Sequence, residues 1–511
     1  MIAYSILYPD VKQEEKELLK NPPEFFTDLN LDQVIREITK AKGEYALEPF
    51  YFSALQEYDI LEYRQSIFND LEKETLLDVI KAFADKMVLV RRYMKMVDQL
   101  SDLYHKEGWF LEAVLIYCDA ICELLEGTGE LEVNSAGLKH LLTYIRDYSH
   151  SPQFTTLVAE SKELKKKLSG IQYNITIKDL GVKVQKYNSE TDYSYEVEQA
   201  FQKFKQGDVK SYRIDLPKSS GMNHVEAQIL NFVAKLFPEV FLESDNYYKN
   251  HQGFIDETIG TFDREIQFYV AYIDFIKKIK TKGLKLCLPQ VTETSKDIYA
   301  NDAYDIALAL TKVDDPEPIV CNDFYLNDPE RIIIVSGPNQ GGKTTFARMF
   351  GQLHFLASLG CPVPGSKARL LLYDQIYTHF EKEEDIHNLR GKLQDDLVRI
   401  HEILDKATSR SIVIMNEIFT STALSDAVFL SKEIIERIIQ ADALSVCVSF
   451  IDELSTMSNK TISMVSTVVP ENPAQRTYKI LRRPADGLAH ALSIAEKHHL
   501  TYEMIKERIS S

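Results

Sequence analysis

The run RIIIVSGPNQGGKTTFARMFGQLHFLASLG, residues 331–360, constrains this chain more than any other stretch. An apolar, β-branched segment (331–336) passes directly into glycines at 337, 341 and 342, and the text after them is helical in character. A strand that turns through glycines into a helix belongs to an α/β layer. The spacing G-x-x-x-x-G-K-T is met by Gly337, Gly342, Lys343 and Thr344. Such a loop lets backbone amides converge on a phosphate at a helix N-terminus. In that geometry Lys343 supplies charge to β- and γ-phosphate oxygens and the Thr344 hydroxyl is offered to Mg²⁺. The expected nucleotide-binding residues are therefore Gly337, Pro338, Asn339, Gln340, Gly341, Gly342, Lys343, Thr344 and Thr345.

About seventy residues on, the apolar run SIVIM (411–415) ends in Asn416-Glu417, where a loop of this kind is usually answered by an acidic pair. The first member of such a pair assists the Mg²⁺ water shell and the second orients or deprotonates the attacking water. Asn416 brings an oxygen to a metal-bound water but no negative charge, which weakens metal retention and turnover together. Glu417 is the catalytic candidate, and Thr344 and Asn416 are the candidate metal contacts.

At 511 residues the chain is too long for one hydrophobic core, so several domains are expected. With 45% hydrophobic and 27% charged residues the composition is that of an ordinary soluble protein. No apolar run approaches the roughly 18 residues of a membrane span. The N-terminus lacks a basic segment followed by an apolar stretch and cleavage site, which leaves the cytoplasm as the expected location. Cysteines at 118, 122, 287, 321, 361 and 447 are scattered, and no second Cys or His pair completes a zinc site with Cys118 and Cys122. They read as reduced thiols.

Along the chain, residues from about 29 to 164 are helical in character, with long charged-apolar stretches and little Gly or Pro. Short β-branched or aromatic runs follow at YNITIKD (173–179), GVKVQKY (181–187) and SYRIDL (211–216), a small sheet set among helices. Helical text then resumes. Ile255, Ile259, Phe262, Ile266, Tyr269, Ile273 and Ile276 repeat at 4 and 3 residues, a 3.5-residue period that predicts a long helix packed along a partner as a lever. The alternative is one helix of a compact bundle. From about Lys282 strand-like and helical runs alternate. The fold class is thus multidomain α plus α/β: helical core 1–165, β insert 166–224, returning helices 225–283, and a P-loop α/β domain with C-terminal helices at 284–511.

Taken together, GPNQGGKTT, IVIMNEIFTSTALSDA (412–427) and DGLAHALSIAEKHHLTYEMIKERI (486–509) resemble the ATPase domain of the MutS mismatch-repair family in order and spacing. The family loop reads GPN-x-GGK-[ST]-T, and only Gln340 is unusual. IVCND (319–323) resembles the segment that packs beside the adenine, which places Ile319 where an aromatic residue commonly stacks. LCLPQV (286–291) and EYRQSIFNDLE (62–72) also resemble family segments, and the order of helices, sheet insert and lever resembles the family's core and DNA clamp. The resemblance implies ATP and Mg²⁺ as cofactors and an ATPase as the activity. It further implies a C-terminal helix-turn-helix and a dimer joined through the C-terminal helices (488–508). The implied form lacks the N-terminal mismatch-reading domain, the connector and any C-terminal nuclease.

Three departures fall on the hydrolysis machinery. The Ser/Thr-rich signature that reaches the partner's γ-phosphate is LRGKLQDDL (389–397) here, with Gly391 near the serine position and Lys392 beside it. The family's Thr-His after the next strand is Ser449-Phe450, and Phe450 cannot hydrogen-bond phosphate. With Asn416, these imply good ATP binding with slow or partner-dependent hydrolysis. One half of a heterodimer with a MutS-like paralogue is then an alternative to a homodimer.

The net charge, 59 minus 77 or −18, excludes a protein that coats nucleic acid with its whole surface. Between Lys162 and Lys218, however, twelve Lys/Arg face eight Asp/Glu. If the insert is a clamp on double-stranded or branched DNA, Lys178, Lys183, Lys186, Lys203, Lys205, Lys210, Arg213 and Lys218 are the phosphate contacts, sequence-independent and salt-sensitive. The Phe-x-Glu tripeptides at 110–112, 237–239 and 241–243 lie in apolar helical text, where packing is the expected role. A nucleotide-gated scaffold that binds proteins and no DNA is the alternative function. A transporter-type ATPase would carry an LSGGQ-like signature, which is absent.

Overall fold

A computed structural model describes residues 4–9, 18–178, 181–189, 222–381, 391–419, 422–469, 471–485 and 505–506. The chain forms two compact units, one of Met1–Lys73, Val133–Leu141 and Thr261–Ser511, the other of Glu74–Glu132 and Leu142–Gly260. The architecture is mixed, helical toward the N-terminus and α/β toward the C-terminus.

In the second unit the paired strands are β1 (Tyr173–Lys178) and β2 (Gly181–Lys186), an antiparallel ribbon in which Ile175 faces Val184. Helices Glu74–Gln99 and Leu103–Thr128 pack along one another, and Asp102 caps the second by accepting from the His105 amide at 3.0 Å. Helix Pro152–Ser169 starts on a Ser151 cap with proline in its first turn, and Asn223 and Glu226 form a reciprocal capping box for His224–Leu236. Val184 of the ribbon packs with Val233, Ala234 and Phe241, which joins these two strands to the helices, while the third expected run, 211–216, lies outside the described residues.

The first unit is built on a six-stranded sheet. Its strands, with the smaller pieces around it, are β3 (Leu286–Cys287), β4 (Gln290–Thr292), β5 (Ile298–Ala303), β6 (Asn322–Leu326), β7 (Ile332–Ser336), β8 (Val363–Pro364), β9 (Lys367–Leu371), β10 (Ile376–His379), β11 (Ile412–Asn416), β12 (Leu444–Val448), β13 (Thr461–Val469) and β14 (Asn472–Arg482). The main order is β10-β11-β12-β7-β13-β14, parallel except for the final hairpin, while β4-β9-β5-β6 and β3-β8 form separate sheets. Every residue of β7, β11 and β12 is buried, which explains why these strands read as continuous apolar runs with no alternation. Ile332, Ile334, Val413, Met415 and Cys447 pack with Ile434, Ile435 and Ile438 of helix Leu424–Ala441. The helix after the glycine loop, Lys343–Ser358, is almost wholly buried.

That burial depends on residues from the start of the chain. Gln352 donates to the Leu29 carbonyl and to Asp305, both at 2.8 Å, Arg348 donates to the Asp28 carbonyl at 2.9 Å, and Phe26 meets Phe355 edge-on at 5.0 Å. The first 73 residues therefore belong with the α/β unit, although their sequence reads as the start of a helical core.

Helix Glu257–Lys280 carries the 3.5-residue stripe from Ile259 to Ile276, with Ile255 before its start, and more. Beyond the stripe it buries Phe268, Tyr272, Phe275 and Ile279, as well as Asp263, Glu265 and Gln267. Glu265 accepts from the Ser5 hydroxyl and the Ile6 amide at 2.7 Å each, and Tyr45 donates to Asp263 at 3.1 Å. A helix buried on more than one face is a core element of its unit, so the stripe alone understates its packing. No helix among the described residues is long and apolar enough to cross a membrane. The six cysteines are free, with Cys118, Cys361 and Cys447 buried.

Candidate nucleotide-binding site

Three adjacent parallel strands end at one level. Asn416 pairs with Val448 and Val448 with Val335, while the Glu417 amide bonds to the Val448 carbonyl and the Ser449 amide to the Val335 carbonyl, each at 3.0 Å. The residues immediately after β7, β11 and β12 are the glycine loop, Glu417 and Ser449-Phe450, so the sheet register brings together segments far apart in the chain. Open α/β sheets bind ligands at this carboxyl edge.

The loop is held tightly. Gly337 has φ 118°, and a Cβ there would meet the Ser466 carbonyl oxygen at 2.9 Å. At Gly341 a Cβ would fall 2.3 Å from the Ser466 hydroxyl, which instead donates to the Gly341 carbonyl at 2.7 Å. Only glycine lets β13 approach this closely. Lys343 opens the helix and is 4% exposed. Its ammonium donates to the Gly337 carbonyl at 2.9 Å, the Pro338 carbonyl at 3.3 Å and Asn339 Oδ1 at 3.4 Å. Glu417 Oε1 lies 3.9 Å away, and the Phe450 ring centroid 4.2 Å away. Burial pushes the Lys343 pKa down from its ordinary value, Glu417 opposes the shift and Arg476 adds to it. A partly desolvated cation of this kind gains most from an arriving phosphate.

Thr344 donates to Asn416 Oδ1 at 2.9 Å, so the two expected metal contacts are neighbours. The donor set is a hydroxyl and an amide oxygen beside the Glu417 carboxylate. No group of three or more His, Cys, Asp or Glu residues suited to a metal occurs among the described residues. These donors fit Mg²⁺ that arrives with phosphate oxygens and keeps several waters, the usual habit of that ion.

A cleft of about 400 Å³ opens beside the loop, lined by Gln340 to Phe346, Glu417 and the segment Glu317 to Val320, with Tyr304, Met349 and Tyr478 completing the wall. Ile319 is in place. Gln340, Glu417 and Tyr478 all hold left-handed φ, 59°, 53° and 58°, and all line this cleft. Non-glycine residues persist in that region only when their surroundings fix them, and such residues cluster at functional sites. Sequence reasoning missed Tyr478, Ser466 and Arg476, whose Nε donates to the Asn339 carbonyl at 3.1 Å. They lie on β13 and β14, outside any motif, and no spacing rule points to them.

Residues 333–507 match the family model for MutS domain V. Over that stretch the chain is similar to the MutS family. The DNA mismatch repair protein MutS of Petrotoga mobilis is 28% identical over 195 residues, which cover 35% of this chain and 23% of that relative. The match thus spans about a quarter of the relative's length.

Other expected positions sit elsewhere. Gly391 precedes helix Lys392–Lys406 with open space around it, and Lys392 pairs with Glu381; neither lines the cleft of its own chain. Lys183 and Lys186 are exposed on the ribbon, with Lys186 over the Phe237 ring at 5.0 Å. Lys178 ends β1. Lys203, Lys205, Lys210, Arg213 and Lys218 lie outside the described residues, as do the C-terminal helical positions 488–504 and 507–508. Among the Phe-x-Glu tripeptides, Phe110 and Phe241 are buried and Phe237 sits between two helices. Glu112 pairs with Lys165 and Glu243 with Lys167, as expected of packing residues.

Proposed function

We propose that this protein is a MutS-like ATP-dependent DNA-binding protein that clamps DNA by structure instead of by mismatch. ATP binding is coupled to clamp conformation, and hydrolysis is slow or partner-dependent. The observation that carries the nucleotide half is the convergence of Lys343, Thr344, Asn416 and Glu417 at the carboxyl ends of neighbouring strands. Lys343 and the loop amides bind the phosphates, Thr344 would offer its hydroxyl to Mg²⁺ and Asn416 an oxygen to a water of that ion, and Glu417 would orient the attacking water. Mg²⁺ adds charge neutralisation when bound. The lack of charge on Asn416 and the missing polar group at Phe450 support slow turnover. The DNA half rests on the family relation and on the basic ribbon; a dimer, with Gly391 and Lys392 addressing the partner's site, rests on the family relation alone.

ATP turnover with Mg²⁺, with and without branched or linear DNA, tests this reading in the wild type and in Glu417→Ala. The expected result is low basal turnover that rises with DNA or a paralogous partner and is lost in Glu417→Ala. Efficient turnover by the pure protein alone removes the need for a partner. If the protein binds nucleotide but shows no salt-dependent DNA binding, the DNA half falls and the scaffold reading takes its place.

A further inference from the structure

We infer that Phe450 sets the phosphate preference of this cleft, so that the site holds a nucleoside diphosphate in preference to the triphosphate. The inference rests on the nucleotide-binding reading above and adds a specificity to it. An ammonium group has three N–H bonds, and the loop offers Lys343 three acceptors of its own: Gly337 O, Pro338 O and Asn339 Oδ1. The Phe450 ring lies over the same ammonium at 4.2 Å, and Glu417 approaches it to 3.9 Å. The cation is thus enclosed by its own loop, a carboxylate and an aromatic ring.

The two phosphates nearest Lys343 meet different surroundings. A β-phosphate sits against the amides of the loop and the start of the helix, which are donors already pointed at it. A terminal phosphate must reach Lys343 while staying close to Glu417, because the attacking water lies between them. That position is flanked by two groups that repel it. Glu417 is an anion, and the face of a phenyl ring carries negative charge, attractive to the ammonium and unfavourable to a phosphate oxygen. Phe450 has no donor to give in return.

The neighbouring groups are already engaged in part. Ser449 is 5% exposed, and its hydroxyl accepts from the Ile451 amide at 3.0 Å, turned into its own chain. Asn416 accepts the Thr344 hydroxyl at its Oδ1. Arg476, the other cation bearing on Lys343, has its Nε on the Asn339 carbonyl. The ring itself is 53% exposed, so it can swing aside, and the triphosphate complex then forgoes the cation–π pair and receives no hydrogen bond from the side chain that made it. Loss of a cation–π pair at such a site shifts a binding equilibrium by roughly two- to thirtyfold, enough to matter to the balance between two ligands that differ by one phosphate.

The test uses the full chain and equilibrium displacement of fluorescent N-methylanthraniloyl-ADP by ADP and by the imido analogue of ATP, with Mg²⁺ present. Wild type, Phe450→His and Phe450→Leu are compared, and thermal melts verify that each is folded. Wild type is expected to bind ADP at least about tenfold more tightly than the triphosphate analogue. Phe450→His, which adds a donor, should bring the two within about threefold. Phe450→Leu removes the ring's charge but adds no donor and should fall between. Equal affinities in wild type, or a ratio unchanged in Phe450→His, overturn the inference and leave nucleotide binding intact. Failure of either nucleotide to displace the probe, or of the probe to bind, overturns the nucleotide reading along with it.

Discussion

The glycine loop and the β1–β2 ribbon carry the two halves of the proposed function in opposite physical styles. The loop is buried against β13, its lysine has named partners on every side, and single atoms decide whether it fits. The ribbon shows two of its lysines, Lys183 and Lys186, to solvent. The difference teaches what each ligand requires. A nucleotide phosphate is bound by a small number of short, directed hydrogen bonds in a low-dielectric site, where geometry is everything. A DNA backbone is a repeating line of charge that rewards any nearby cations through counterion release, with little demand on their exact place. Loop residues therefore act one by one, ribbon residues as a sum.

The largest effect expected from this contrast is at Lys343. Lys343→Ala removes charge-assisted bonds worth about 1.5–3 kcal/mol each and should weaken nucleotide binding at least about 100-fold by calorimetry. DNA binding without nucleotide should be unchanged at low salt; an equal loss of both would break the distinction between the regions.

Acid separates them at an intermediate scale. His354, on the helix that follows the loop, is fully enclosed, and burial lowers its pKa to about 4 while the Phe350 carbonyl opposes the shift. Folded protein therefore binds this proton more weakly than unfolded protein does. The stability it protects is complete above pH ~6.5 and is lost as pH falls toward about 4, by up to about 3 kcal/mol. Asp442 acts in the same direction at lower pH: burial alone would raise its carboxyl, but Lys296, Lys460 and Arg331 hold it well below the usual carboxylate range. Urea titrations between pH 7 and 4 should show the α/β unit weakening, less so in His354→Leu than in wild type.

The smallest effect belongs to the ribbon. Lys183→Ala with Lys186→Ala should lower the slope of log affinity against log salt by about 0.9 for each phosphate that is no longer neutralised, and leave nucleotide affinity alone. A slope that does not move would show that these lysines do not touch DNA, while a changed nucleotide affinity would show that the ribbon is not an independent electrostatic surface.

Much of the nucleotide site was legible because its chemistry is local. A phosphate cradle needs glycines, a lysine and a hydroxyl within a few residues of one another, and a buried parallel strand needs an unbroken apolar run, so both leave marks in order along the chain. The uncharged Asn416 was legible in the same way, and the structure sets its Oδ1 within hydrogen-bond distance of Thr344. Less legible was whatever depends on residues distant in sequence. The 3.5-residue stripe on helix Glu257–Lys280 reports one face, whereas Glu265 and Asp263 are buried because Ser5, Ile6 and Tyr45 arrive to pair with them. Tyr478 has no motif at all; its left-handed backbone and its place in the cleft wall follow from the β13–β14 hairpin folding back beside the loop.

What the sequence by itself determined is therefore which groups are proposed to bind phosphate, and that position 416 carries no charge and position 450 no donor, since those are properties of side-chain type and short spacing. Tertiary structure alone decided who stands next to Lys343. Phe450 reads in the sequence as an absence, a residue unable to bond phosphate. Sheet register sets it over the ammonium and makes it a positive feature of the site. Strand order is fixed by burial of whole faces, which depends on contacts across hundreds of residues, and no local pattern encodes which strand ends will share an edge.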